Sequence, residues 1–276
     1  MPEDLKVSNK VIMEKVSKPY EIPFVNGLKG FFEEVTQLTR FTFHFFKELV
    51  KPRYEFSEFV RQAYLIGYKS FPLVAITGLI LGLVMTIQSR PTLAEFGAVS
   101  WLPAMVSVSI VRELGPTIFA LIFAGKVGSG IGAELASMKV TEQIDAMEVS
   151  GMNPYKYIVV TRVLATTLML PLLVIVGDAI SLYGAYIAVN LKGDVSFNLF
   201  FLQVFKSLDF SDVFPAFIKT FFFGFAIGVI SCFKGYNSTN GTEGVGVSAN
   251  SSVVLGSLSV FIIDMIAVQI TSMLYS

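Results

Sequence analysis

The sequence predicts an all-α integral membrane protein: an N-terminal interfacial amphipathic helix, five transmembrane helices, and a short cytoplasmic helix between the second and third spans. Two observations carry this. Of 276 residues, 53% are hydrophobic and only 15% charged, where a soluble domain carries roughly 25% charged residues. Mean hydropathy is +0.66, and the apolar residues are gathered into runs of membrane length. Such a chain lacks the polar surface to cover a globule.

Residues 1–23 are polar and contain no apolar run of the kind a secretory signal needs, so no signal peptide is expected. In the next stretch Phe24, Leu28, Phe31, Val35, Leu38, Phe45 and Leu49 recur mostly at three- or four-residue steps, while Lys29, Glu33, Glu34, Arg40 and Lys47 take other faces. That is an amphipathic helix too charged to span a bilayer. Two placements are open: in the cytoplasmic interface, or packed on the cytoplasmic end of the bundle. Lys51-Pro52-Arg53 breaks it, because proline cannot continue a helix interior. Residues 24–65 thus form interfacial and elbow helices, and 66–276 hold the five spans.

The first span, 71–89, has no charge and is about 28 Å long as a helix at roughly 1.5 Å per residue, which suits a hydrocarbon core of about 30 Å. The second, 98–125, is broken only by Arg112-Glu113. The third, 163–191, contains only Asp178, the fourth, 213–233, only Lys219, and the fifth, 244–276, only Asp264. Lysine and arginine are retained on the cytoplasmic side. With this alternation, sixteen loop and N-terminal basic residues fall on one side and three (Arg90, Lys192, Lys206) on the other. The expected topology has the N-terminus in the cytoplasm and the C-terminus outside.

Charges inside spans cost several kcal/mol and usually face a cavity or a partner, so Arg112 and Glu113 are candidate functional residues, the other reading being a structural ion pair. Pro116 removes a backbone donor close by and predicts a kink. Asp178 and Asp264 are each single acids, open to a functional or a packing role. Gly78/Gly82 and Gly224/Gly228 have the spacing that lets membrane helices approach closely.

After the second span, Met138-Lys139-Val140-Thr141-Glu142-Gln143-Ile144-Asp145-Ala146-Met147-Glu148 reads as one short amphipathic helix over about 137–150, with Val140, Ile144 and Met147 on one face. Gly151 suits its stop, and Asn153-Pro154 starts the next helix. Held between two spans, this element can pass motion between a soluble partner and the membrane.

Other chemistry is excluded. Zero net charge leaves no footprint for nucleic acid. Cys232 is the one cysteine and His44 the one histidine, which removes disulfide frameworks, Cys/His zinc sites and a Ser/His/Asp triad. Gly128-Ser129-Gly130-Ile131-Gly132-Ala133 matches a dinucleotide fingerprint but follows a membrane helix instead of a strand. No G-x-x-x-x-G-K-[ST] occurs, so any ATP drive comes from a partner.

Several ordered motifs carry a resemblance: Arg112-Glu113-Leu114-Gly115-Pro116, Ala124-Gly125-Lys126-Val127-Gly128 leading to Ala133-Glu134-Leu135, Met138 to Ala146, and Glu243-Gly244-Val245-Gly246. From about residue 65 onward the chain resembles the MlaE/YrbE permease family of lipid ABC transporters associated with MCE-domain proteins. The resemblance implies a non-catalytic, homodimeric permease of the bacterial inner membrane that needs no cofactor. Its implied partners are two copies of a cytoplasmic ABC ATPase and a periplasmic MCE protein, and its cargo is phospholipid or a similar lipid. It also implies that the helix after the second span couples to the ATPase through Glu134, Met138, Lys139, Thr141, Glu142, Gln143, Ile144 and Asp145. A lipid pathway between spans one, two and five would use Met85, Gln88, Arg112 and Glu113. One stretch departs from the family pattern: Val247 to Ser251 stand where basic and threonine positions are usual. Two other functions fit a membrane bundle: an ion-coupled carrier using Glu113, Asp178 or Asp264, and a non-transporting scaffold.

Overall fold

The computed structural model describes residues 23–52, 55–191, 193, 195–238 and 241–275. The expected polar segment 1–23 lies almost wholly outside them, as do Arg53 and Lys192. Among the described residues, five helices are long and apolar enough to cross a membrane. In chain order the helices are α1 (Pro23–Val50), α2 (Phe56–Glu95), α3 (Val99–Val140), α4 (Gln143–Val149), α5 (Tyr155–Asn190), α6 (Phe197–Ser207), α7 (Phe210–Tyr236) and α8 (Gly241–Tyr275).

The chain divides into two units, Met1–His44 and Phe45–Ser276. Within the first, the hydroxyls of Thr36, Thr39 and Thr42 on α1 donate back to the carbonyls of Phe32, Val35 and Leu38 at 2.7–2.8 Å. Its Phe32 and Phe43 are exposed. The last turns of α1 belong to the second unit. There Phe45 meets Phe225 edge-on at 5.7 Å, and Asn153 Nδ2 donates to Glu48 Oε2 at 2.9 Å. Lys156 Nζ donates to the carbonyls of Lys51 and Pro52 at 2.6 and 3.1 Å, satisfying groups that the proline break leaves without helical partners.

The spine of the bundle is α5, 67% of whose apolar window is buried. Lipid tails are as apolar as leucine, so helices associate through close packing of small residues rather than hydrophobic burial. On one side of α5, a methyl group at Gly78 of α2 would come 2.8 Å from the Gly177 carbonyl, and one at Gly184 would come 2.5 Å from that of Leu79. At Gly82 a methyl group would collide with the Ser181 carbonyl. On the other side, Gly224 of α7 sits against the Thr166 carbonyl and Gly228 against Thr166 and Val163. Both glycine pairs therefore act as their spacing predicts. In the same way α8 packs on α3 through Gly132, Ser248 and Ser252.

The helices differ from the predicted spans in three respects. First, two helices are longer than their apolar runs: α2 is continuous from Phe56, so that the elbow and the first span are one helix, and α5 begins at Tyr155, directly after the Asn153-Pro154 expected to start it; polar side chains join the two first turns. Glu58 accepts from Arg61 at 2.8 Å, from Gln62 at 2.7 Å and from Tyr157 at 3.3 Å. Second, α3 is not uniformly α-helical: Ile110–Leu114 and Ala124–Gly128 are wide π turns. The first directly precedes Pro116, and in it the Gly115 amide donates five residues back to the Ile110 carbonyl. Third, the loop expected before the fourth span contains α6. Its N-cap Ser196 accepts from the Leu199 amide at 3.3 Å. Phe200 and Val204 of α6 complete a buried cluster with Leu102, Val106 and Ile110 of α3 and Ala185 and Val189 of α5.

Gly82→Ala is expected to lower the thermal unfolding temperature of the detergent-solubilised protein, because the new methyl group meets backbone that cannot rotate away, an overpacking cost of about 1–3 kcal/mol. Gly246→Ala, where a methyl group meets nothing within 4 Å, serves as the control and leaves the melting temperature unchanged or raised.

Candidate functional site

Three of the five charges within the spans meet. Lys219, on α7, is 4% exposed, and its Nζ lies 2.7 Å from Glu113 Oε2 on the first π turn of α3 and 2.9 Å from Asp264 Oδ1 on α8. Thr117 Oγ1 donates to the other Asp264 oxygen at 2.9 Å. About two turns toward the start of α7, Arg112 Nη1 reaches Asp212 Oδ1 at 3.4 Å. Asp212 also closes a capping box with Asp209, accepting from the Asp209 amide at 3.3 Å. Arg112 and Glu113 thus turn to different partners, as neighbours about 100° apart on a helix must.

The π turn positions these two side chains. Its wider winding lets Glu113 face the α7–α8 seam while Arg112 follows α7 toward its N-terminus, and Gly115 leaves room for the Asp178 carboxylate of α5. Beside the network, an apolar groove of about 480 Å³ runs between α7 and α8, with Lys219 in its wall and Phe222, Ile266, Ile270 and Leu274 along it.

Four residues were expected on a lipid pathway, and they fall in two places. Arg112 and Glu113 belong to the ion network. Met85 packs against the α3–α5–α6 cluster, and Gln88 is exposed on α2 with no hydrogen bond to either charged residue among the described residues. Within one chain the structure does not bring the pairs together. Lys219 and Asp212 are the members that sequence reasoning missed. The signal for Lys219 was available, since it is the only cation in its span.

A second polar assembly holds the segment between α3 and α5, and it corrects the expected single helix over 137–150. The stretch is two helices: α3 runs to Val140, Glu142 adopts a left-handed backbone (φ 58°), and α4 starts at Gln143. Val140 therefore cannot share a helical face with Ile144 and Met147. Ile144 alone is the buried anchor, at 1% exposure. The turn is clasped by Lys139 Nζ to Asp145 Oδ1 at 2.7 Å and by Gln143 Nε2 donating to Thr141 Oγ1 at 3.0 Å. Below it, Glu134 accepts from Arg162 Nη2 at 2.8 Å, and Arg162, 3% exposed, also donates to the Ile158 carbonyl at 3.2 Å. Thr141, Glu142, Gln143 and Asp145 are exposed, while Met138 and Lys139 are half-buried at the end of α3.

Lys219→Met is expected to destabilise the protein by up to about 3 kcal/mol, because it leaves the mostly buried Asp264 carboxylate and the partly exposed Glu113 carboxylate facing each other without a cation. Adding Glu113→Gln and Asp264→Asn to Lys219→Met is expected to recover most of that loss. Thermal melts of the single and triple variants in detergent check this, and equal melting temperatures would show that the network does not hold α3, α7 and α8 together.

The model of the family described as Permease MlaE matches residues 59–270. A probable ABC transporter permease of Rickettsia prowazekii is 38% identical over 232 residues, covering 84% of this chain and 90% of its own. The intermembrane phospholipid transport system permease MlaE of Haemophilus influenzae is 33% identical over 255 residues, or 90% of this chain and 97% of the relative. A probable ABC transporter permease of Synechocystis is 31% identical over 237 residues, 86% of this chain and 90% of its own. The matched region contains both the Lys219 network and the clasped turn at Glu142, so the chain belongs to the MlaE family of permeases.

Proposed function

We propose that this chain is the membrane subunit of an ABC transporter of the bacterial inner membrane, moving phospholipid or a similar lipid between that membrane and a periplasmic MCE carrier. A separate cytoplasmic ATPase supplies the drive. The observation that carries this reading is the turn at Glu142: exposed, polar and clasped to the end of α3 by the Lys139–Asp145 pair, while α3 is itself paired to α5 by Glu134–Arg162, so that it is a handle on two spans at once. Closure of an ATPase pair beneath it would tilt α3 and α5 together.

The protein works as a homodimer in this reading. Support comes from the outer helices: 28% of the apolar window of α2 and 11% of that of α8 are buried, against 67% in α5. Spans one and five therefore have faces free for a second copy. The groove between α7 and α8 would open toward a shared lipid pathway, to which each copy contributes Arg112 and Glu113, with Met85 and Gln88 farther along α2. The N-terminus lies in the cytoplasm and the C-terminus in the periplasm, as the basic residues require. From Lys156, at the inner boundary, to Asp178 is about 33 Å of helix at roughly 1.5 Å per residue. That brings the neighbouring Arg112–Asp212 pair to the outer edge of the hydrocarbon.

Two measurements test the reading. The tagged chain, co-expressed with its neighbouring subunits, is expected to retain an ABC ATPase and bound phospholipid on purification, with mass spectrometry as the readout; recovery of neither would overturn it. Glu142→Lys with Asp145→Lys is expected to leave membrane insertion intact and to lower lipid-stimulated ATP hydrolysis of the complex at least several-fold. Unchanged hydrolysis would remove the coupling role.

A further inference from the structure

On the α5 side of α7, divided from the α8 groove by Phe214, lies a second cavity of about 360 Å³. Its walls are Val111 and Pro116 of α3, Asp178 of α5, and Phe210, Phe214 and Phe217 of α7. The size is that of a small-ligand site, and the lining has the usual form of one, an apolar surface with a single polar group. The polar group is unusual: Asp178 has no hydrogen-bond partner among the described residues, its Oδ1 being sealed against α3 at Gly115 and its other oxygen left as the one that can meet a ligand in the cavity. A methyl group at Gly115 would collide with Oδ1. The one lysine of α7 in this region, Lys219, is committed to Glu113 and Asp264.

A carboxylate taken out of water without a partner is costly, and the cost falls when a cation or a strong donor meets it. Across the cavity from Asp178, Phe210 and Phe214 lie stacked with centroids 4.9 Å apart, and Phe217 follows on the same side of α7. Aromatic faces attract cations, and aromatic walls are a recurrent means of holding ammonium groups. The two features select one chemistry. We propose that this cavity binds the ammonium group of an amphiphile: Asp178 pairs with the charge, the phenylalanines flank it, and Val111 and Pro116 line the way for an alkyl chain. The source is either the amine head of a membrane phospholipid or a free single-chain amine. This site does not depend on the transport reading above.

The test uses the purified chain in nanodiscs of phosphatidylglycerol, which carries no amine, and a dodecylamine bearing a diazirine on its chain. Illumination is expected to label peptides covering residues 174–178 and 210–217. Dodecyltrimethylammonium should compete with the label, whereas dodecyl sulfate and dodecanol at equal concentration should not. Asp178→Asn is expected to reduce labelling at least fivefold with a melting temperature equal to or above that of the unaltered chain, and Asp178→Glu to retain it. Including phosphatidylethanolamine in the disc separates the sources: suppressed labelling assigns the lipid head, and persistent labelling that only the single-chain ammonium displaces assigns a free amphiphile. Competition by dodecanol as strong as by the ammonium, or undiminished labelling of a folded Asp178→Asn, would overturn the proposal. The wild-type competition series decides the matter alone if Asp178→Asn does not fold.

Discussion

The bundle depends on one buried ammonium. Lys219 sits on α7 at 4% exposure, where an unmet charge would be worth several kcal/mol against folding, and it is met by two carboxylates from two other helices. The requirement fixes more than energy. Glu113 and Asp264 can both reach one Nζ only if α3 and α8 stand at a single height and rotation against α7. Apolar packing alone would accept neighbouring registers, since one leucine-rich face slides on another at little cost; the ion triad admits one. Its contribution to stability relative to a well-packed apolar replacement is small by comparison, and its structural role is to define which arrangement the three spans share.

A different rule governs α5, which bears almost no charge in its span and is held by surfaces without side chains. Gly78, Gly82 and Gly184 bring backbone against backbone on the α2 side, Gly177 makes room for the Phe119 ring of α3, and Gly224 and Gly228 lie against Val163, Thr166 and Thr167 on the α7 side. Contacts of this kind have no slack, so α2, α5 and α7 move as a block or not at all. The outward faces of α2 and α8 are left apolar and uncovered, and that is where a partner would attach.

Much of this was legible in the sequence because it follows from composition and local spacing. The five spans, the glycine pairs and the exceptional character of Arg112-Glu113 need only a hydropathy count and a knowledge of helical faces. What stayed hidden is tertiary. Asp264 read as a lone acid because nothing in one dimension ties it to a lysine 45 positions earlier. Periodicity around Ile144 suggested a continuous helix, yet Glu142 turns left-handed, a backbone state that non-glycine side chains rarely adopt and that no spacing rule foretells. The small helix α6 had local signals in Ser196 and the Phe197, Phe200, Phe201, Val204 series, but hydropathy averaged over a membrane-length window conceals eleven residues.

The π turns carry a consequence for how this chain can vary. Each holds one residue more than the α-helix would need over the same rise, so each amounts to a one-residue insertion retained inside a span. Deleting one residue from Ile110–Leu114 would let α3 close into an ordinary helix without a gap in its hydrogen bonding, yet everything on one side of the turn would rotate by about 100° relative to the other. Glu113 would swing off the α7–α8 seam while the backbone remained wholly acceptable. In this span the number of residues, quite apart from their identity, is a functional quantity, and length changes that a membrane helix would otherwise absorb are closed to it.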